Sequence, residues 1–347
     1  MLPRKMALTG GAAPSSEDGP VSTVEETSPE SVTGTSELVE MPPEPPKGGP
    51  RLLIWRVGGV LKTMRPHQWV KNVFVLAPIV FAREMFVWDL LIRSIGAFGV
   101  FCLLAGAVYT MNDLVDLDGD AVHPVKRFRP LPSGRVPLSW GRHVAIGLVI
   151  VSLAGAAIGP WQFLVTAIAY FMLNVAYSFR LKKIAYVDVG LIALGFVLRV
   201  LAGGFATNTP ISGFMVGCTA LLALFLGFGK RRHELATAAN AGKQRAALEA
   251  YSPRALTLAL AATGIATIGT YLAYTLDHDT QRFFQNPWLW VTTIHPLFGV
   301  VRFLQLVVTR PKAESPTQEI LRDVPFILNL VVWVAEVIFI VYRLRPT

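Results

Sequence analysis

The sequence predicts an all-α membrane protein, built as a bundle of nine transmembrane helices. Hydrophobic residues make up 52% of the 347 residues and charged residues only 16%, too little charge for the surface of a soluble domain of this length. Apolar runs of the length that a helix needs to cross a bilayer recur along the chain after residue 65. Because a backbone in lipid must satisfy its own hydrogen bonds, runs this long and continuous indicate helices rather than barrel strands.

Residues 1–50 differ from the rest of the chain in composition. They hold eight acidic residues against three basic ones, with Pro, Ser, Thr and Gly between them and no apolar core of the kind a signal peptide needs. A segment with so little apolar surface cannot offset the entropy of ordering its chain. We therefore expect a disordered acidic tail over 1–50 and a nine-helix membrane domain, which carries the active site, over 51–347.

The predicted spans follow one another along the membrane domain, and the first and third are short. In chain order they cover residues 68–82, 91–111, 144–160, 162–179, 186–206, 211–229, 255–276, 287–309 and 325–342. The connections after the second, fourth, sixth and eighth spans carry most of the Lys and Arg residues. Because basic loops stay in the cytoplasm, this bias predicts a cytoplasmic N-terminus and active site in the inner (plasma) membrane. Cys102 and Cys218 fall inside spans and are expected to be packing residues.

The second span ends in the stretch NDLVDLDGD (112–120), which is unusually acidic for the end of an apolar segment. If the helix continues, Asp113, Asp116 and Asp120 lie on one face together with Asn112, while Asp118 points away. Crowded carboxylates repel one another unless a cation compensates them, and oxygen ligands without Cys or His suit Mg²⁺. A solvated acidic loop is the alternative, but the one-face spacing at a membrane helix end favours Mg²⁺ that holds a diphosphate.

Basic residues follow the acidic stretch closely and recur in the other connections on the same side. Carboxylates for a metal beside cations for phosphate are typical of a site that binds a diphosphate leaving group. The candidates for substrate binding come from four such stretches and from the fifth span. The stretches are MRPHQWVKN (64–72), HPVKRFRPLPSG (123–134), YSFRLKKIAYVDVG (177–190) and FGKRRHEL (228–235). The candidates are Lys71, Asn72, Lys126, Arg127, Arg129, Tyr177, Lys182, Asp188, Arg199, Lys230 and Arg231.

Two of these cations lie inside apolar runs, where a charge is costly and normally has a partner. Lys71 has the alternative of extending its long side chain to the membrane surface. Arg199 is too deep in the fifth span for that, so we expect a buried anionic partner for it. Gly203 and Gly204, which follow, are expected to allow close packing of helices.

These residues resemble the UbiA superfamily of intramembrane prenyltransferases over roughly residues 60–345. The motif N-D-x-x-D-x-x-x-D of that superfamily here reads Asn112, Asp113, Asp116 and Asp120. The resemblance implies a nine-helix bundle of UbiA type in which these four residues hold Mg²⁺ and the three aspartates are catalytic.

RPHQWVKN, HPVKRFRPLPSG, YSFRLKK and GKRRHEL are most similar to the decaprenyl-phosphate phosphoribosyltransferase branch of the superfamily. That branch moves 5-phosphoribosyl from phosphoribosyl diphosphate to a polyprenyl (decaprenyl) phosphate, with release of diphosphate, for cell-wall arabinan precursors. The resemblance therefore implies a soluble donor, a lipid acceptor and a membrane setting.

Two alternatives to this reaction remain open. A UbiA-type prenyltransferase would use a polyprenyl diphosphate donor and an aromatic or lipid acceptor, but such enzymes usually carry a second motif with two acids, where this chain has Asp188 alone. A transporter for a phosphorylated solute would be expected to show interrupted helices in related halves, and the sequence shows no internal repeat. The sequence contains no nucleic-acid-binding motif, so no nucleic-acid partner is expected, whereas a homo-oligomer is compatible with it.

Overall fold

The computed structural model describes residues 46, 48–238, 248, 250–309, 319, 320 and 322–342. These ranges contain helices and turns and no β-strand. Eight helices within them are long and apolar enough to cross a membrane, which confirms the predicted all-α bundle. The acidic tail lies almost wholly outside the described residues, so its disorder stays a prediction.

The helices are connected mostly by short turns. Those of the first half are α1 (Gly49–Thr63), α2 (Ala77–Phe81), α3 (Trp88–Val115), α4 (Leu117–Ala121), α5 (Leu138–Ala157), α6 (Trp161–Phe179) and α7 (Val187–Thr207). Those of the second half are α8 (Gly213–Ala238), α9 (Pro253–Leu276), α10 (His278–Phe284), α11 (Ile294–Thr309) and α12 (Val324–Tyr342).

The predicted first span, 68–82, differs from the other spans in its helical form. It is a 3₁₀ helix over Pro66–Leu76, which we call the 3₁₀ segment, continued by the short α2, and it is not among the eight long helices. A 3₁₀ helix rises about 2.0 Å per residue and an α-helix about 1.5 Å. The 11 and 5 residues of these two pieces therefore extend over roughly 30 Å, about the thickness of the hydrocarbon core. The extended form explains how a short apolar run reaches the length of a full span.

The 3₁₀ segment sorts its side chains with a period of three. Asn72 and Val75 are fully buried, whereas Val70 and Val73 are 51% and 49% exposed. The buried row packs against α7, where a Cβ atom on Gly203 would lie only 1.9 Å from the carbonyl oxygen of Val75. The two backbones approach this closely because glycine has no side chain, which confirms the close packing expected there.

Polar contacts distinguish the two ends of the bundle. At one end, which we call the basic end, the charged residues described below lie at the end of α3, in the connections from α3 to α5 and from α6 to α7, at the start of α7 and near the end of α8. At the opposite end, Thr209 donates a hydrogen bond to Glu84 (2.9 Å) and the hydroxyl of Tyr342 donates to the carbonyl of Val80 (3.0 Å). Both cysteines are unpaired, as expected of packing residues.

Candidate active site

The acidic stretch at the basic end forms a bent helix terminus rather than the continuous helix that the spacing assumed. α3 ends at Val115, and Asp116 has backbone angles of φ −89° and ψ 11° before α4 begins at Leu117. Asp113 and Asp120 are buried, at 2% and 3% exposure, whereas the side chain of Asp116 is 45% exposed. The straight helix that the spacing assumed is therefore wrong, because the helix bends at the middle aspartate. A metal role that Asp116 shares with Asp113 and Asp120 stays a prediction.

Asp113 and Asp120 converge on a single guanidinium group. Nη1 of Arg129 lies 2.5 Å from Oδ2 of Asp120 and 3.3 Å from Oδ1 of Asp113. Arg65 donates a second hydrogen bond of 2.5 Å to Oδ1 of Asp113, and Nζ of Lys126 lies 3.5 Å from Oδ1 of Asp120. Three cations thus compensate two buried carboxylates, and one nitrogen occupies the point where their oxygens meet.

Three neighbouring residues of the acidic stretch offer oxygen atoms that suit a small divalent cation. Oδ1 of Asn112 is buried without a hydrogen-bond partner, although buried amide oxygens normally have one. Together with Asp113 and Asp120 it offers hard oxygen ligands of the kind that Mg²⁺ binds. No group of three or more His, Cys, Asp or Glu side chains in the described ranges is arranged to hold a metal ion. That is compatible with Mg²⁺, which commonly takes one or two carboxylates and completes its shell with phosphate oxygens and water.

Asp116 forms a separate ion pair with the next connection of the basic end. Nζ of Lys182 lies 3.3 Å and 3.4 Å from its two carboxylate oxygens. Lys182 stands on the 3₁₀ turn Leu181–Lys183 between α6 and α7, and its neighbour Lys183 is exposed. The pair therefore joins the end of α3 to the connection between α6 and α7.

Asp188 lies in a buried cluster at the start of α7. Its Oδ2 is 2.7 Å from Nε of Arg231, and its Oδ1 accepts a hydrogen bond from the hydroxyl of Tyr251. Arg231 also pairs with Glu234. Burial, reinforced by the hydrogen bond to Asp188, raises the pKa of Tyr251 above its usual range, so the phenol remains a donor at neutral pH. Both oxygens of Asp188 thus contact protein groups, and its predicted contact with a ribose or a metal stays a prediction.

Arg199 lies in the middle of α7 and contacts neutral groups. Its Nε donates to Oδ1 of Asn72 and its Nη2 to the hydroxyl of Tyr170, each at 2.8 Å, and its Nη1 donates to the carbonyl of Gly195 at 2.9 Å. No carboxylate of the described residues pairs with it. Within the described residues an amide, a phenol and a carbonyl occupy its donors, so the expected anionic partner of Arg199 stays a prediction.

Lys71, next to Asn72 on the 3₁₀ segment, is half-buried. Its amino group has no hydrogen bond or ion pair with the part of the chain that the structure describes. The charged groups that act on it most strongly are the cations Lys230, Arg199 and Arg65. Lys71 therefore stands in a positive environment inside the bundle.

The remaining candidates lie around these clusters. Nζ of Lys230 is 3.8 Å from Glu234, and the guanidinium of Arg127 lies 4.9 Å from the ring centroid of Phe128. Tyr177 lies in the neighbourhood of Arg231. The structure therefore brings the α3 terminus, the 3₁₀ segment, the connections after α3 and α6, and the described end of α8 to one region of the bundle.

Two residues of this region were not among the predicted candidates. Arg65, which pairs with Asp113, has a left-handed backbone conformation (φ 51°) where α1 passes into the 3₁₀ segment; such conformations in non-glycine residues cluster at functional sites. Its position just before a proline was a signal that the chain turns there. Tyr251 stands before α9 without any motif, so no sequence signal indicated its contact with Asp188.

Comparison with known proteins places this geometry in context. Residues 73–318 match the UbiA prenyltransferase family. The chain is 34% identical over 287 residues to a decaprenyl-phosphate phosphoribosyltransferase of Mycobacterium tuberculosis; the alignment covers 81% of this chain and 93% of that protein. It is 30% identical over 289 residues to a decaprenyl-phosphate phosphoribosyltransferase of Corynebacterium glutamicum; that alignment covers 82% of this chain and 87% of the relative.

A solved structure has a similar fold. It is a UbiA homolog from Archaeoglobus fulgidus bound to GPP and Mg²⁺, with a TM-score of 0.62, 17% sequence identity, and coverage of 82% of this chain and 99% of that chain. At this identity the likeness concerns the fold. It is consistent with the helical bundle described above.

Proposed function

The chain belongs to the UbiA prenyltransferase family, and we propose that it is a phosphoribosyltransferase of the membrane. It moves the 5-phosphoribosyl group from phosphoribosyl diphosphate to a polyprenyl phosphate, such as decaprenyl phosphate, and releases diphosphate. The names of relatives that align with most of this chain support this reaction. The observation that carries it is the convergence of two buried carboxylates, Asp113 and Asp120, on one cation among further phosphate-binding groups.

We assign the metal site of this reaction to the end of α3. Asn112, Asp113 and Asp120 would hold Mg²⁺, with Asp116 as the fourth ligand that the family motif predicts. The structure related by fold that binds GPP and Mg²⁺ supports a divalent metal in this role. When bound, Mg²⁺ supplies Lewis-acid stabilisation of the negative charge that develops on the diphosphate.

The paired cations of the basic end would bind the donor. Arg65, Arg129, Lys126 and Lys182 each contact an aspartate, so the arrival of phosphate would exchange one anionic partner for another. Guanidinium and ammonium groups form strong charge-assisted hydrogen bonds with phosphate oxygens. Because these groups are already held in place, they stabilise the departing diphosphate with little reorganisation.

The transfer itself requires no strong general base. A phosphate oxygen of the lipid forms a bond to C1 of the ribose while the bond from C1 to the diphosphate breaks, through an oxocarbenium-like centre. The attacking oxygen is already anionic, so no proton has to leave it. Electrostatic stabilisation by the residues of the basic end therefore supplies most of the rate enhancement.

The membrane setting follows from the two substrates. We propose that the basic end faces the cytoplasm across the inner membrane, because basic connections stay on that side. A soluble, multiply charged donor would then arrive from water and the acceptor from the bilayer. Both would meet at the helix ends.

Transfer of label tests this function directly. Purified protein is given phosphoribosyl diphosphate labelled in the ribose, together with polyprenyl phosphate. Label is expected to move into the lipid fraction only when both Mg²⁺ and the lipid phosphate are present. If the protein instead attaches the prenyl chain of a polyprenyl diphosphate to an aromatic or lipid acceptor, the prenyltransferase alternative holds and the proposal is wrong.

Variants of the acidic stretch test the observation that carries the proposal. Asp113→Asn and Asp120→Asn are each expected to lower kcat at least about 100-fold, the magnitude typical for loss of a group that stabilises transition-state charge. Asp118→Asn is the matched control, because this aspartate belongs to the same stretch but is exposed. Near-normal turnover of the Asp120 variant would refute the assigned metal role.

A further inference from the structure

Two cations inside the bundle lack a carboxylate partner among the described residues. Arg199 is 6% exposed and bonds to Asn72, Tyr170 and the carbonyl of Gly195. Lys71 is the immediate neighbour of Asn72, and Arg199 is one of the cations that act on it. The bundle therefore holds two adjacent positive charges whose described neighbours are neutral or positive.

Such an arrangement is costly unless an anion binds there. A charge taken out of water without a counter-charge loses much of its solvation, and ionisable groups within membrane spans usually mark the path or the site of a substrate. The other cations of the region contrast with this pair, since Arg65, Arg129 and Lys182 each contact an aspartate. Lys71 and Arg199 thus lack the carboxylate that the other cations contact, and a bound anion would supply the missing counter-charge.

The position of the pair favours a ligand that comes from the membrane. Lys71 is the sixth residue of the 3₁₀ segment, so it lies about 10 Å beyond the start of that segment. Arg199 lies about 18 Å along α7 from its first residue. Both are deeper than Asp113 and Asp120, which stand at the end of α3 and just beyond it.

The exposed apolar face of the 3₁₀ segment also favours a ligand that comes from the membrane. Val70 and Val73, on the row beside Lys71, are half-exposed apolar side chains. Asn72, on the opposite row, is fully buried and orients Arg199. Lys71 therefore stands between an apolar face that a hydrocarbon chain can contact and the interior of the site, as a lipid with an anionic headgroup requires.

We propose that Lys71 and Arg199 form the subsite for the phosphate group of the lipid acceptor, separate from the site of the donor diphosphate. The inference rests on the proposed function, in which a lipid phosphate attacks C1 of the ribose. In a direct displacement the attacking and departing oxygens lie on opposite sides of C1. With the diphosphate held at Asp113 and Asp120, the attacking phosphate has to approach from the inner side, where Lys71 and Arg199 lie. Asn72 and Tyr170 are positioning residues that hold the guanidinium of Arg199.

Lipid binding without donor tests the subsite. Wild type, Lys71→Gln, Lys71→Arg and Lys183→Gln are reconstituted in nanodiscs, and binding of radiolabelled polyprenyl phosphate is measured with unlabelled polyprenol and inorganic phosphate as competitors. We expect Lys71→Gln to weaken lipid binding about tenfold or more, as loss of a charged hydrogen bond does. Lys71→Arg keeps most of the affinity, and Lys183→Gln, which changes an exposed lysine, is unaffected. Polyprenol competes poorly in wild type, because it lacks the phosphate.

Steady-state kinetics separate the acceptor from the donor. Lys71→Gln is expected to raise KM for polyprenyl phosphate while KM for phosphoribosyl diphosphate stays within about twofold. A rise in the donor KM with unchanged lipid binding would assign Lys71 to the donor and overturn the proposal. Equal lipid affinity in Lys71→Gln and wild type, or displacement of the lipid by inorganic phosphate alone, would overturn it as well. If wild type binds polyprenyl phosphate through Lys71 but transfers no phosphoribosyl group, the proposed function fails and the subsite remains.

Discussion

The contact between Gly203 and the 3₁₀ segment gives a sharp test of how packing positions the site. In Gly203→Ala the new Cβ atom would lie 1.9 Å from the carbonyl oxygen of Val75, whereas real Cβ atoms keep at least 3.0 Å from such neighbours. The segment, or α7, must therefore retreat by at least 1.1 Å. The obstacle is backbone, so no rotation of a side chain relieves it.

The displacement is expected to reach the site because the same segment carries Lys71 and Asn72. Asn72 accepts the 2.8 Å hydrogen bond of Arg199 from the same helix as Gly203, and a shift of about 1 Å lengthens that bond beyond a useful distance. Overpacking of this kind costs about 1–3 kcal/mol of stability. A misplacement of about 1 Å at a reacting centre lowers the rate about 100-fold. We therefore expect a lower midpoint of thermal unfolding and a kcat/KM reduced by one to two orders of magnitude.

Gly190→Ala is the matched control for this experiment. Gly190 belongs to the same helix, and a Cβ atom there meets nothing within 4 Å. Alanine at such a position favours the helix by up to about 1 kcal/mol. Thermal unfolding in detergent and phosphoribosyl transfer are measured for both variants. If Gly203→Ala matches Gly190→Ala in both measurements, the close approach does not position the site and the reasoning is wrong.

Three further predictions follow from the ion pairs and the metal site. Tyr251→Phe removes the phenolic donor to buried Asp188, so the free energy of unfolding should fall by about 1.5–3 kcal/mol, and an unchanged unfolding midpoint in detergent would contradict this. Lys182→Gln should raise KM for phosphoribosyl diphosphate about tenfold, because the lysine that pairs with Asp116 is lost. Lys183→Gln should leave this KM unchanged, and equal KM values for the two variants would exclude Lys182 from donor binding. Chelation of divalent metal should stop transfer, and added Mg²⁺ should restore it. The unfolding midpoint should shift little on chelation, because Arg and Lys side chains compensate the carboxylates; activity that survives chelation would exclude the metal.

The ion pairs at the end of α3 suggest how the basic end accommodates both a metal and a highly charged donor. Asp113 and Asp120 share Arg129, so their negative charge is already compensated. When a metal–diphosphate ligand binds, the metal can replace the cations as partner of the aspartates, and the diphosphate can replace the aspartates as partner of the cations. The net charge of the site therefore changes little on binding, which limits the desolvation cost.

The architecture and the acidic centre of the site could be predicted from the chain alone because they depend on local properties. The length of an apolar run determines whether it can cross a bilayer, and that is visible without any tertiary contact. Asp113, Asp116 and Asp120 are equally close to one another and to basic residues in the sequence itself, so no tertiary contact was needed to predict that they belong to one region. The helix break at Asp116 lay beyond this reasoning, since a spacing argument assumes that the helix continues.

The partners of the polar and charged groups of the site come from segments that are distant in sequence. Arg199 bonds to Asn72 across 127 positions, Arg65 pairs with Asp113 across 48, and Tyr251 reaches Asp188 across 63. A charge in an apolar run indicates that some partner is needed, but whether it is a carboxylate, an amide or a ligand depends on which helix packs beside it. At Arg199 that choice rests on Gly203, whose missing side chain lets the 3₁₀ segment and α7 approach closely enough for Asn72 to reach the guanidinium.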